Sequence, residues 1–387
     1  MKKKIAILGS TGSIGETLLN IINQDKKKFE IKLLTANVNY KKLLKQANQF
    51  KVNNLIITNK KSFLLLKKIN KNKKIKIFNN FDCLDRIFNK KIDYVMSSII
   101  GIQGLLPTFK IIKFTKNIAI ANKESIICGW QLIEKELKKN KTLFVPVDSE
   151  HFSLWYGLNK INVERVEMFY LTASGGSLYN TPLNKFRNIN KSLVLNHPNW
   201  KMGKKITIDS ATMINKVFEV IEAKNIFNIS YKQIKILIHP SSYVHALIKF
   251  NNGITKIIIH DTTMKIPIFN TLFFGNNKTL SSKNLDIKTL NNLDFNNVDK
   301  KKYPMINILN LLPKNHSLFE TTIVSANDTL VELFLADKIK FNDIYKILMK
   351  IITLKEFIQL KKKYPQSIKE ILDLNNYVRL KIIKKSI

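Results

Sequence analysis

Ile5-Ala6-Ile7-Leu8 runs directly into Gly9-Ser10-Thr11-Gly12-Ser13-Ile14-Gly15, and Ile14, Leu18, Leu19, Ile21 and Ile22 then recur at helical spacing. A buried strand, a glycine-rich turn and an amphipathic helix in that order commit the N-terminal region to an α/β unit. The glycines are spaced G-x-x-G-x-x-G rather than G-x-G-x-x-G. Glycines let a backbone approach a pyrophosphate, and a helix N-terminus adds free N–H groups and a favourable dipole, so this turn predicts a dinucleotide site.

Further strands are expected at Phe29–Leu34, Leu55–Thr58, Ile75–Phe78, Ile92–Met96, Ile118–Ala121 and Leu143–Val147, with helical patterns between several of them, as at Leu105–Ile112 and Glu124–Leu137. Alternation of this kind predicts a mostly parallel, doubly wound sheet. The second strand ends in Thr35-Ala36-Asn37-Val38-Asn39, with no acid to meet a ribose 2′-hydroxyl and with Lys41 and Lys42 following, which favours the 2′-phosphate of NADP. Ligands of such sheets gather beyond the carboxyl ends of the strands. Asn122-Lys123-Glu124-Ser125 and Pro146-Val147-Asp148-Ser149-Glu150-His151 both fall there. Continued strand alternation would turn Asp148 and Glu150 to one side and Ser149 to the other. Two carboxylates side by side repel unless a cation or a shared proton relieves them, so a hard divalent metal is a natural occupant.

From Val166 the pattern changes to an α+β region. Val166–Leu171 reads as a strand entering Thr172-Ala173-Ser174-Gly175-Gly176-Ser177, a small-residue loop able to present N–H and hydroxyl groups to an anion. His197-Pro198-Asn199-Trp200-Lys201-Met202-Gly203 places large apolar residues beside Pro and Gly outside any period, which suits a lid. In the helical stretch after Ser210, residues Asn215, Glu219 and Glu222 share a face and Lys216 lies three residues before Glu219; spacing leaves both glutamates eligible as ligands. Leu237–Pro240, Tyr243–Phe250 and Ile254–Ile259 read as strands, the last two as a hairpin through Asn251-Asn252-Gly253 that is expected to pair with a second subunit, with His245 as a core or interface residue. The polar stretch 276–302 reads as a linker, and helical periodicity follows it, with Ser367 to Glu370 as a capping box.

The 387 residues carry a formal charge of +37. The lysines are spread over nearly every segment with many Asn and Ile, without an Arg-rich arm or aromatic platform, which argues for composition bias rather than nucleic-acid binding. Such a field still attracts phosphorylated substrates. Two cysteines, Cys83 and Cys128, without C-x-x-C support neither a disulfide scaffold nor a thiolate site and fit a reducing cytoplasm. No stretch approaches the ~20 apolar residues of a membrane span.

Taken together, Gly9–Gly15, Ala121–Ser125, Pro146–His151, His197–Trp200, Asp209–Met213 with Asn215, Lys216 and Glu219, and Ile238–Pro240 resemble the 1-deoxy-D-xylulose-5-phosphate reductoisomerase family, in its order and spacing. The resemblance implies a homodimer without membrane or nucleic-acid partners, with an NADPH-binding Rossmann-like domain at 1–148, an α+β catalytic domain at 149–275, a linker at 276–302 and a C-terminal helical domain at 303–387. It implies conversion of 1-deoxy-D-xylulose 5-phosphate to 2-C-methyl-D-erythritol 4-phosphate, by a retro-aldol and re-aldol sequence or an α-ketol shift followed by reduction with NADPH. The divalent cation, Mg2+ or Mn2+ with Co2+ as a further choice, falls to Asp148, Glu150 and Glu219. Ser174, Ser210, Asn215 and Lys216, with His197 beside them, match the phosphate cradle; Lys123 and Ser149 match substrate contacts, and Trp200 the lid. Thr11, Gly12, Ser13, Ile14, Asn122, Glu124 and Gly203 match NADPH contacts, and Lys123, Glu150 and His197 the catalytic group. Val38 stands where the family often has a basic residue, leaving NADPH selectivity to Asn37, Asn39 or the two lysines. His260-Asp261-Thr262-Thr263-Met264-Lys265 departs from the family's acidic, proline-containing stretch. A Ser149 turned toward substrate predicts that the strand has broken into a turn by that residue. Alternatives are another NADPH-dependent sugar-phosphate or semialdehyde oxidoreductase, or a basic nucleic-acid binder.

Overall fold

The structure is a computed structural model that describes residues 2–200, 202–275 and 277–386. Met1, Lys201 of the expected lid, Asn276 at the head of the expected linker and Ile387 lie outside the described residues. The chain forms two compact units: the first from residues up to Ser125, Leu132–Asp148 and Met264–Leu280, the second from Ile126–Gln131, Ser149–Thr263 and the chain from Ser281 on.

The first unit is built on seven Ile- and Leu-rich strands: β1 Lys3–Leu8, β2 Phe29–Ala36, β3 Asn54–Ile57, β4 Lys76–Phe78, β5 Tyr94–Ser97, β6 Asn117–Ile120 and β7 Leu143–Pro146. They lie in the order β4-β3-β2-β1-β5-β6-β7 and every neighbouring pair is parallel. Parallel strands covered on both faces must be apolar along their length, and Ile5 to Leu8 are fully buried. The chain winds outward from β1 in one direction and returns to the other side at β5. The β1/β5 boundary is therefore the topological switch point, where doubly wound sheets take their ligands.

The second unit holds a mixed sheet of β8 Val166–Ala173, β9 Ile234–Ile238, β10 Val244–Phe250, β11 Thr255–Ile259 and β12 Asn296–Asn297, in the order β11-β10-β8-β9-β12. The apolar face of this sheet packs on the helices Ser149–Leu158 and Ile214–Phe227 through Phe169, Leu171, Val220, Phe227, Ala246 and Ile248. The helices Leu318–Leu335, Phe341–Ile352 and Ile368–Ser386 complete the unit.

The domain lines depart from expectation in three places. Helix Lys265–Leu272, expected with the catalytic region, buries Ile268, Phe269 and Leu272 in the core of the first unit. The stretch read as a linker carries helix Ile287–Asn291 and strand β12, which pairs antiparallel with β9. A two-residue strand needs only backbone hydrogen bonds, and Asn-rich side chains do not announce it. The C-terminal helices group with the second unit instead of standing apart.

Candidate active site

The turn after β1 is shaped by what its glycines permit. Gly9 has φ +84°, a left-handed conformation that a side chain disfavours, and a Cβ on Gly15 would lie 2.6 Å from the Gly9 carbonyl oxygen. The Gly9 and Ser10 amides donate to the Thr35 hydroxyl and carbonyl, each at 2.9 Å, so β2 holds the turn in place. Thr11 and Gly12 lie in this turn, and Ser13 and Ile14 open helix Ser13–Asn23, where Gly12 caps the helix without any side-chain bond. The first amides of that helix therefore keep the donor capacity that suits an anion.

Other expected cofactor residues sit on neighbouring strand ends of the same unit. Asn37 accepts a hydrogen bond from the Thr58 hydroxyl at 3.1 Å. Asn39 caps helix Tyr40–Phe50 by accepting from the Lys42 amide, while the Lys42 ammonium pairs with Glu16. Asn122 caps helix Lys123–Lys139, accepting from the Ser125 amide at 2.7 Å, and donates to the carbonyls of Ile99 and Gly101 and to Glu124. Lys123 forms an ion pair with Asp148 at 2.9 Å.

Strand β7 ends at Pro146 and helix Ser149–Leu158 begins three residues later. The expected alternation through Asp148, Ser149 and Glu150 therefore gives way to a helical first turn, in which successive side chains lie about 100° apart rather than on opposite faces. The expected break by Ser149 takes this form. Ser149 donates to the Glu150 carboxylate at 2.5 Å. Lys216, on helix Ile214–Phe227, donates to Glu150 Oε1 at 2.8 Å, to the Thr172 carbonyl at 2.5 Å and to the Glu219 carboxylate. Three acceptors use all three donors of an ammonium. Burial would raise the Glu150 carboxyl, but the Lys216 charge, His245 and hydrogen bonds from Lys216 and Ser149 outweigh it and hold the group well below the usual carboxylate range. Desolvation works against the Lys216 ammonium too, and Glu150 and Glu219 raise it above its ordinary value. Asn215 donates to Glu219. Glu222 instead faces His151, with its carboxylate 3.5 Å from Nδ1, and His151 Nε2 lies 2.9 Å from the Glu219 carbonyl oxygen.

The small-residue loop after β8 lies against helix Lys204–Thr212: a Cβ on Gly176, at φ +69°, would be 2.7 Å from the Ser210 carbonyl oxygen. Ser174 Oγ is 3.0 Å from His197 Nε2 and accepts from the Gly176 amide at 3.0 Å. Ser174, His197 and Ser210 are thus brought together. The amides of Asn199 and Trp200 donate to His197 Nδ1, and Asn199 donates to the Pro240 carbonyl and Ser242, which fastens the expected lid at its first half. Trp200 is half-buried, edge-on to His245. Gly203 caps helix Lys204–Thr212 in the second unit, with open space where a Cβ would be.

Sequence reasoning passed over Thr35, Thr172 and the pairing of His245 with His260. The two imidazoles stack with centroids 3.6 Å apart and 12° between planes. Thr172 contributes only its carbonyl to Lys216, which no residue type can signal.

A glycine turn at the switch point of a parallel sheet, in a chain that also gathers two glutamates around a lysine, places the protein in the class of NAD(P)-dependent α/β oxidoreductases. Residues 5–129 match the sequence profile of 1-deoxy-D-xylulose 5-phosphate reductoisomerase, residues 144–227 that of its C-terminal domain, and residues 260–381 the profile described as DXP reductoisomerase C-terminal domain. The 1-deoxy-D-xylulose 5-phosphate reductoisomerase of Pelagibacter ubique (strain HTCC1062) is 61% identical over 387 residues, covering 100% of both chains. That of Sulfurihydrogenibium sp. (strain YO3AOP1) is 37% identical, covering 99% of this chain and 98% of its own. The chain belongs to the 1-deoxy-D-xylulose 5-phosphate reductoisomerase family. Among solved structures, the Zymomonas mobilis enzyme in complex with NADPH matches with a TM-score of 0.88 at 28% identity, over 100% of this chain and 99% of that one. A DOX-P reductoisomerase in complex with NADPH, fosmidomycin and magnesium matches with a TM-score of 0.91 at 30% identity, over 99% and 98%. Among the described residues, no helix is long and apolar enough to cross a membrane.

Proposed function

We propose that the chain converts 1-deoxy-D-xylulose 5-phosphate to 2-C-methyl-D-erythritol 4-phosphate, using NADPH and a divalent cation, Mg2+ or Mn2+. The observation that carries this reading is the pair Glu150 and Glu219 gathered around the Lys216 ammonium, with Glu150 held well below the usual carboxylate range, in a family whose solved members hold magnesium. Two buried carboxylates with hard oxygen donors suit such a cation, and we assign Asp148, two residues before Glu150, as the third ligand. The turn around Gly9 and Gly15 suits NADPH, because its backbone is bare at the helix N-terminus and leaves no room for a Cβ at Gly15.

When bound, the cation supplies Lewis-acid polarisation of the substrate carbonyl and NADPH supplies hydride. The chain's own residues position and enclose. Ser174, Ser210, Asn215 and Lys216 take the substrate phosphate with His197, which fixes the reacting carbons before any bond changes. For Lys216 this role requires exchange: its three donors go to Glu150, Glu219 and Thr172, and they would turn to the phosphate where those two glutamates held a cation instead. Lys123, Glu150 and His197 supply the protonatable atoms nearest the chemistry. The segment around Trp200 excludes water when it closes. A homodimer formed through the β10–β11 hairpin and a cytoplasmic location, suited to two buried cysteines that form no disulfide, complete the proposal. The test is oxidation of NADPH by purified protein with 1-deoxy-D-xylulose 5-phosphate, with and without divalent metal. Turnover only when all components are present is expected; no turnover in any combination rejects the reading.

A further inference from the structure

Strands β10 and β11 pair antiparallel with a register shift between Val244 and Ala246, so His245 is the extra residue of a bulge. Bulges re-aim side chains, and this one turns His245 onto His260, just beyond β11. The His245 ring is buried, and its Nε2 lies 3.1 Å from the His260 carbonyl oxygen. The Phe152 ring stands edge-on to His260, and Trp200 edge-on to His245. Burial and the facing His260 push the His245 imidazole down to about 3, and burial lowers His260 as well, while the Glu150 carboxylate pulls both the other way. The two rings, in parallel contact, therefore lie within electrostatic reach of Glu150.

His260 is the member with an unused hydrogen-bond acceptor. Its Nδ1 lies 2.8 Å from the Asp261 carbonyl oxygen, and a carbonyl only accepts, so Nδ1 carries the proton. Nε2 is left with a lone pair, and it is buried without a hydrogen-bond partner among the described residues. A buried acceptor without a donor is costly unless a bound molecule supplies one. We propose that His260 is a substrate-positioning residue whose Nε2 accepts a hydrogen bond from a hydroxyl of the sugar phosphate. The inference rests on the function proposed above and adds a specificity contact to it.

Three variants read with intact substrate and with analogues lacking the C3 or the C4 hydroxyl test it. His260→Phe keeps a flat ring against His245 but has no acceptor. It is expected to raise KM for the sugar phosphate about tenfold, the worth of one buried hydrogen bond, with little change in kcat, NADPH binding or melting temperature. His260→Gln, which restores an acceptor, is expected to recover part of that loss. Because the hydroxyls take part in the rearrangement, the deoxy analogues are read as competitive inhibitors, and one of them is expected to bind wild type and His260→Phe equally well, identifying the partner hydroxyl. An unchanged sugar-phosphate KM in His260→Phe, or undiminished discrimination against both analogues, overturns the proposal. Should His260→Phe fold poorly, the same analogue comparison in His260→Gln and His260→Leu decides. Wild-type turnover is scored separately, so failure of the parent reading is seen before any variant is made.

Discussion

Glu150 and Glu320 are both carboxyls buried in the second unit, and they titrate in opposite directions. Glu320, on helix Leu318–Leu335, is pushed up to about 7 by burial, which outweighs hydrogen bonds from Ser317 and the distant charge of Lys224. Glu150 suffers the same desolvation but has Lys216 at 2.8 Å and sits well below the usual range. An ammonium within hydrogen-bond reach decides the sign. The first carboxyl serves its helix as half of a capping box with Ser317 and gains nothing from its charge. The second is kept charged at the expense of a buried lysine, an arrangement that stability alone does not favour.

The contrast can be broken at each end. The largest effect is expected for Glu150→Gln, which keeps shape and removes charge: kcat should fall by about a thousandfold or more while NADPH titration by fluorescence stays normal. Removing divalent metal with EDTA should silence the wild type to a similar degree, with Mg2+ or Mn2+ restoring it. Near-normal turnover in either experiment would show that Glu150 is only a structural ion pair. Lys216→Ala comes next, because it strands two buried carboxylates. Calorimetric unfolding without metal should register a loss of roughly 3–5 kcal/mol, and added Mg2+ should recover much of it; a loss that metal leaves untouched would separate the lysine from the cation site. The smallest effect falls at Glu320. Between its ordinary value of 4.5 and its folded value of about 7, the unfolded chain releases a proton that the folded chain keeps, so stability falls as pH rises through that window. Glu320→Gln escapes this fall and should be more stable by roughly 2–3 kcal/mol above pH 7, with no gain near pH 4. Equal stability at pH 8 would mean that a positive charge compensates Glu320 when folded.

Much of the first unit was legible because its strands are short apolar runs between turn residues, and observed ends such as Tyr94–Ser97 lie within two residues of the expected ones. The glycine turn was legible for the same reason that it works: Gly9 and Gly15 stand where no other residue fits. Helix spacing placed Lys216 beside Glu219 but could not choose between Glu219 and Glu222, since both lie on one face. In the structure Glu219 meets Lys216 and Asn215, while Glu222 faces His151 on a different helix. Strand periodicity carried past Pro146 misled at Ser149, where helix begins. The His245–His260 pair was hidden because a bulge breaks the period-two rule at that residue. Nor does composition reveal that the Asn-rich stretch near Asn296 adds a strand to a sheet.

Asn122 closes the helix Lys123–Lys139 and, with the same side chain, ties the carbonyls of Ile99 and Gly101. One amide group therefore serves a loop after β5 and a helix after β6. The loop cannot swing away without uncapping the helix, and the helix cannot fray without releasing the loop. In hydrogen exchange the Ser125 amide, which the Asn122 carbonyl oxygen holds, should open at the same rate as the amides around Gly101. In Asn122→Asp, which keeps the cap acceptor and loses the donors, those two rates should part.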